Sequence, residues 1–82
     1  MAEVIFNYEE KETIIKCNKD AKMKDIINDY LKQTKKTEKD LYYIYKENEV
    51  YDGFTFFEQA NEFDKIRKRM NITVKKKMII KK

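Results

Sequence analysis

Apolar and polar residues alternate at the two ends of this 82-residue chain and recur at helical spacing between them. Val4, Phe6 and Tyr8 fall on one face and Ile5 and Asn7 on the other, which predicts a strand over 4–8. Glu9 to Glu12 is a polar break of hairpin-loop length. It lacks Asn-Gly or Asp-Gly, so the turn type stays open. Thr13, Ile15 and Cys17 predict a second strand, with Ile14 part covered on its other face. Met23, Ile26, Ile27, Tyr30 and Leu31 then recur at i, i+3, i+4, i+7 and i+8, the stripe of an amphipathic helix. Lys24, Asp25, Asn28, Asp29 and Lys32 occupy its polar face. Asn18 to Asp20 offer capping side chains at its start. The helix ends near Thr34 without a glycine stop, and Lys35 and Lys36 suit the negative end of its dipole.

Thr37 to Asp40 reads as a short turn into a third strand. In that strand Leu41, Tyr43 and Tyr45 face the core, and Tyr42 and Ile44 face out. Val50 marks a short fourth strand after polar Lys46 to Glu49. The only glycine, Gly53, follows Asp52 and precedes Thr55-Phe-Phe-Glu58. Thr and Glu at that spacing form a capping box, each side chain bonding the other's backbone N–H. Phe54, Phe56, Phe57 and Phe63 supply large apolar area nearby. Glu62 to Arg69 is charged and reads as one helical turn or a loop. Met70, Ile72 and Val74 alternate with Asn71, Thr73 and Lys75 as a last strand. Met78, Ile79 and Ile80 find no partner in this pattern, so Lys76 to Lys82 reads as a tail.

Strand, strand, helix, strand, short strand, short helix, strand resembles the β-grasp fold of the ubiquitin family, over about residues 4–76. Met23, Ile26 and Tyr30 sit where that family's helix places core residues. Asp52-Gly53-Phe54-Thr55-Phe56 is similar to its Asp-Gly-Arg-Thr-Leu segment. The resemblance implies an α+β roll, a mixed sheet of four to five strands with one main helix packed across it. Residues 1–76 form the expected domain and 77–82 a basic flexible tail. The departures bear on function. The end, Lys75 to Lys82, lacks Gly-Gly, so the chain as it stands is not expected to be adenylated or conjugated. Of the three apolar residues in ubiquitin's main binding patch only Ile44 has a match, the others falling on Lys75 and near Glu10. Several chain-building lysines fall on other residues, such as Ile27, Asp29 and Asn48. An extra stretch lies around Glu62 to Arg69.

Composition narrows the chemistry. One cysteine excludes an internal disulfide framework, and no histidine removes the commonest general base and metal ligand. A zinc site is therefore not expected, and no cofactor is implied. A single glycine leaves no phosphate-cradling loop. Cys17 faces the core as an inert thiol, and Glu9 and Glu10 sit in an exposed turn where general acid work is not expected. The tyrosines read as core packing with wet hydroxyls rather than a cofactor box. Enzymatic activity is not expected. No apolar run reaches about 18 residues and no secretory signal is visible, so a cytoplasmic or nuclear setting without membrane insertion is expected.

Two surfaces remain. Tyr42, Ile44, Thr73, Lys75 and Lys77 should share the exposed sheet face and suit a protein partner with an acidic rim, either alone or as part of a larger assembly. The alternative is an ordinary solvated face with two incidental apolar residues. The second surface follows from charge asymmetry. Residues 1–64 carry all 15 acidic and 10 of the 19 basic side chains, a net −5, and residues 65–82 carry nine basic ones alone. Lys65, Arg67, Lys68, Arg69 and Lys76 are candidate anion contacts, for nucleic acid, an anionic membrane surface or an acidic protein segment. Nucleic acid is the weaker expectation, because the aromatic residues fall mostly on core positions. A modifier precursor whose Gly-Gly lies outside this chain is the third reading.

Overall fold

The computed structural model describes residues 1–36 and 40–77. The elements are β1 (Ala2–Tyr8), β2 (Lys11–Cys17), α1 (Met23–Thr34), β3 (Leu41–Tyr45), β4 (Asn48–Glu49), α2 (Phe56–Gln59), α3 (Glu62–Arg67) and β5 (Arg69–Lys76). The five strands make one mixed sheet in the order β2-β1-β5-β3-β4. The central pair β1 and β5 is parallel, and every other pair is antiparallel. One long helix lies across one face, which is the α+β arrangement expected.

Period 2 in the strands meets the helical stripe to form the core. Val4 and Phe6 of β1, Ile15 and Cys17 of β2, and Met70, Ile72 and Val74 of β5 face Met23, Ile26 and Tyr30 of α1, all buried. Phe6 stacks on Tyr30 at 4.3 Å between ring centroids, with Tyr43 edge-on to both. Ile27, Leu31, Leu41, Tyr43 and Val50 pack around the margin, half-buried. Of the four phenylalanines after Asp52, Phe56 alone enters the core. Phe54, in the loop before α2, is exposed, as are Phe57 and Phe63, because the short helices α2 and α3 each bury one side chain, Phe56 and Asp64.

Several boundaries differ from the sequence reading, and each has a cause. Glu9 and Glu10 both take positive φ, 48° and 68°. That is the left-handed pair of a two-residue type I′ hairpin turn, so β2 starts at Lys11 and not Thr13. Lys46 and Glu47 repeat it between β3 and β4 at 49° and 72°. Without glycine or asparagine neither turn announces itself. The capping expected from Asn18 to Asp20 does not occur. The N-cap is Lys22, with no side-chain bond. Instead the Met23 and Lys24 N–H groups donate to the carbonyls of Phe54 and Asp52, at 2.7 and 3.1 Å. The Asp52–Phe54 loop thus caps α1 from a distance.

Gly53 does not have positive φ. A Cβ there would lie 2.9 Å from Cε2 of Tyr51, so glycine makes room for that ring. The Thr55–Glu58 capping box forms as expected. Within the Glu62–Arg69 stretch, Glu62–Arg67 is a helix capped by Asn61, whose side chain accepts from the Asp64 N–H at 2.8 Å. Lys68 then turns left-handed into β5, which runs on through Lys76. The expected Thr37–Asp40 turn and the tail beyond Lys77 fall largely outside the described residues.

Candidate functional site

The sheet face turned away from α1 gathers four of the five residues assigned to it into adjacent cross-strand pairs. Tyr42 of β3 stands opposite Lys75 of β5, and Ile44 opposite Thr73. On the far side Ile44 faces Glu49 of β4. Tyr42 and Ile44 are half-exposed, and Thr73, Lys75 and Lys77 are exposed. Lys77 follows the end of β5, its N–H donating to the Asp40 carbonyl at 2.7 Å. It therefore continues β5 alongside β3.

This face holds more apolar surface than its pattern suggested. Ile5 alternates away from the helix and lies outside the core cluster, yet it is only 6% exposed. Its cross-strand partner is Ile14, 42% exposed. Asn71 flanks Ile5 on β5, and Thr73 joins Asn7 to Ile44 in the next row. A broken apolar band thus crosses the sheet from β2 to β3. Ile5 was the hidden part. A residue on the outward phase of an alternating strand reads as solvated until its neighbours are known.

The basic residues do not form one cluster. Lys65 pairs with Glu62 at 3.2 Å, Arg67 with Asp64 at 3.0 Å and Arg69 with Glu3 at 3.4 Å. Lys65 and Lys19 lie over the Phe57 ring, and Arg67 over Phe63. Lys68 is exposed at the left-handed corner before β5. Lys76 closes β5 opposite Leu41, about 23 Å along the strand from Arg69. Lys65 to Arg69 are thus neighbours, and Lys76 stands apart.

A polar cluster escaped the sequence reading altogether. Asp64, 1% exposed, accepts a 2.5 Å hydrogen bond from the Tyr45 hydroxyl. Arg67 Nε donates to the other carboxylate oxygen, and the Asn61 N–H donates to the Tyr45 oxygen at 3.0 Å. Burial, assisted by the Asp64 charge, pushes the Tyr45 hydroxyl up to about 12. Burial likewise raises the Tyr43 hydroxyl. Burial, with Asp29 adding to it, raises the Cys17 thiol and so suppresses its thiolate. The Tyr45–Asp64 pair is enclosed and ties α3 to β3, which is a structural role.

Two of the hollows among the described residues flank α1. One of about 730 Å³ lies against the β2 edge, between Ile14 and Lys16 and the helix residues Asp29 and Lys32. The other, about 530 Å³, separates α1 from the β3–β4 hairpin. No helix among the described residues is long and apolar enough to cross a membrane.

No family model matches the sequence, and no curated protein sequence matches it. Among solved structures the chain is similar to the crystal structure of ATBAG1 in complex with HSP70, with a TM-score of 0.70 at 13% identity. The match covers 93% of this chain and 40% of that one, so the chain spans two fifths of its structural neighbour. With its strand order and crossing helix, the chain has an α+β ubiquitin-like fold.

Proposed function

We propose that this chain is a ubiquitin-like protein–protein interaction domain that docks a partner non-covalently through the sheet face of Tyr42, Ile44, Thr73, Lys75 and Lys77. The observation that carries the reading is the pairing of Ile44 with Thr73 and of Tyr42 with Lys75 on the face that α1 leaves open. A half-exposed isoleucine and tyrosine supply apolar area, and the lysines supply a rim for acidic residues. The neighbouring structure of this fold is a complex with a protein, HSP70, which supports a protein as the class of partner. In this reading the chain is not an enzyme. Its one thiol is buried with a raised pKa, and its buried carboxylate, Asp64, already accepts from two donors, the Tyr45 hydroxyl and Arg67 Nε.

The test is partner capture from native lysate by wild type and by Ile44→Asp, with the thermal melt of each recorded. Loss of the partner with a melt close to wild type supports the sheet face. Full capture by a folded Ile44→Asp protein would sink it. The second reading, an acidic surface or nucleic acid held by residues 65–82, is favoured by the charge asymmetry alone. The ion pairs of Lys65, Arg67 and Arg69 reduce what that end offers to an anion. A complex that dissolves steeply with salt and survives Ile44→Asp would favour it.

A further inference from the structure

The two edges of the sheet are built differently. β4 is two residues long, whereas β2 runs seven residues, Lys11–Cys17, in unbroken register with β1. An edge strand leaves its outer N–H and C=O groups unpaired, and folds usually blunt such an edge by shortness, a proline or a bulge. β2 uses none of these: the chain has no proline, and the register with β1 skips no residue. The hollow of about 730 Å³ lies beside it, lined by Ile14, Ile15 and Lys16 on the strand and by Asp29, Lys32 and Gln33 on or near its facing helix, α1. The helix therefore does not close over the edge.

The hairpin turn fixes which backbone groups point outward. In a two-residue type I′ turn the flanking pair, here Tyr8 and Lys11, is hydrogen-bonded, and bonded and non-bonded pairs alternate from there. Lys11, Thr13, Ile15 and Cys17 therefore bond to β1, and the N–H and C=O groups of Glu12, Ile14 and Lys16 point away from it. The side chains of the same three residues stand on the open sheet face, beside Asn7, Ile5 and Glu3 of β1. Glu12 and Lys16 make no ion pair among the described residues. Along the edge the order is acid, isoleucine, base at even spacing. Run in the opposite direction, that order is its own complement.

We propose that two copies of this chain pair antiparallel along their β2 edges, centred on Ile14, to join their sheets into one. Ile14 then meets Ile14 of the second copy, and Glu12 meets Lys16 at both ends of the junction. Each of these three pairs exchanges two main-chain hydrogen bonds. The row of Ile5 and Ile14 continues across the junction into the same row of the second copy. Other registers lose this match. Sliding the second copy by two residues sets Ile14 against Glu12 or Lys16, and by four sets Glu12 on Glu12 or Lys16 on Lys16, which like charges disfavour. An unrelated strand finds the same backbone groups, but the reversed charge order selects a second copy. The two-fold axis runs through the sheet, so both α1 helices lie on one side and both open faces on the other. Tyr42 and Ile44 lie on β3, three strands from the junction, so the pairing leaves the docking face free.

The experiment is sedimentation of the full chain over a concentration series, with the thermal melt of each variant recorded. For a junction of one strand pair the expected dissociation constant is about 100 µM. Wild type should pass from monomer to dimer across that value, and amide exchange at Glu12, Ile14 and Lys16 should slow as it does. Glu12→Lys and Lys16→Glu each set like charges against one another at both ends, and each should weaken the dimer about tenfold. Both side chains are exposed, so the melts should stay close to wild type. The double variant carries the same pairs with the signs exchanged and should dimerise as wild type does. An equimolar mixture of the two single variants should do the same. A wild-type chain still monomeric at about 1 mM overturns the proposal. So does a dimer that neither single variant weakens, or a loss that neither the double variant nor the mixture restores.

Discussion

The seam between α1 and the sheet and the corner where α3 meets β3 are both buried, and they are held by different physics. The seam is apolar. Phe6, Tyr30, Met23, Ile26, Met70 and Ile72 are each no more than 1% exposed, and the two rings stack at 4.3 Å. The corner is polar. α3 sends its one buried side chain, Asp64, to the Tyr45 hydroxyl, while Phe63 and Ile66 of the same helix remain in solvent, 67% and 81% exposed. Apolar burial is non-directional and grows with area, so many residues share it. A buried carboxylate depends on a few directed donors, and losing any one leaves a charge under-satisfied. The fold thus attaches its main helix by area and its accessory helix by geometry.

The largest expected effect tests the seam. Phe6→Ala removes a fully buried ring stacked against Tyr30 and edge-on to Tyr43. Such truncations cost about 3–5 kcal/mol. A domain of this length has a total stability of about 4–12 kcal/mol. Urea denaturation should therefore show a protein close to its folding threshold at 25 °C. A loss below about 1 kcal/mol would mean that the seam can repack, and the contrast with the corner would fail.

A middle-sized effect tests the corner. Tyr45→Phe keeps the buried ring and removes the hydroxyl that donates to Asp64 and accepts from the Asn61 N–H. Hydrogen bonds to a charged group are worth about 1.5–3 kcal/mol, and that is the expected loss. The pH dependence has a definite sign. The Tyr45 hydroxyl is raised from 10.0 to about 12 in the folded chain, so folding favours its protonated form. That stabilisation is fully present below pH 10 and is lost as the pH climbs from 10 through about 12. Stability measured across that window should fall less steeply in Tyr45→Phe than in wild type. Parallel curves would show that the hydroxyl does not carry the corner.

The same contrast explains which parts of the fold were legible. Met23, Ile26 and Tyr30 declare the helix because area-driven burial leaves a periodic trace, and Met70, Ile72 and Val74 declare β5 in the same way. The capping box was legible because Thr55 and Glu58 carry their partners at fixed spacing. Asp64 left no trace. Its partners lie 19 residues back at Tyr45 and three forward at Arg67, and a charged run such as Glu62 to Arg69 reads as solvated. On the sheet face Tyr42 and Ile44 were readable from alternation, but the depth of Ile5 was not, since it depends on which strands flank β1. The hollow between α1 and the β3–β4 hairpin was equally hidden, because it follows from β4 stopping after two residues.

The smallest expected effect asks whether the two regions differ in their local backbone strain as well as in their contacts. Each has one hairpin turn. Glu9-Glu10 joins the seam strands β1 and β2, and Lys46-Glu47 follows Tyr45 at the corner. All four residues are left-handed without being glycine, a conformation that costs an L side chain about 1–2 kcal/mol. Glycine removes that clash and loses part of the gain through greater freedom in the unfolded chain. Glu10→Gly and Glu47→Gly should therefore each stabilise by about 0.5–1 kcal/mol in denaturant titrations. Turn strain is a property of φ and not of the surroundings, so the two gains should be equal and should add, the sites sharing no contacts. A gain at Glu10 with a loss at Glu47 would show that the second turn is coupled to the Tyr45–Asp64 anchor. The corner would then be a unit that includes its hairpin, held as a whole rather than by one buried carboxylate.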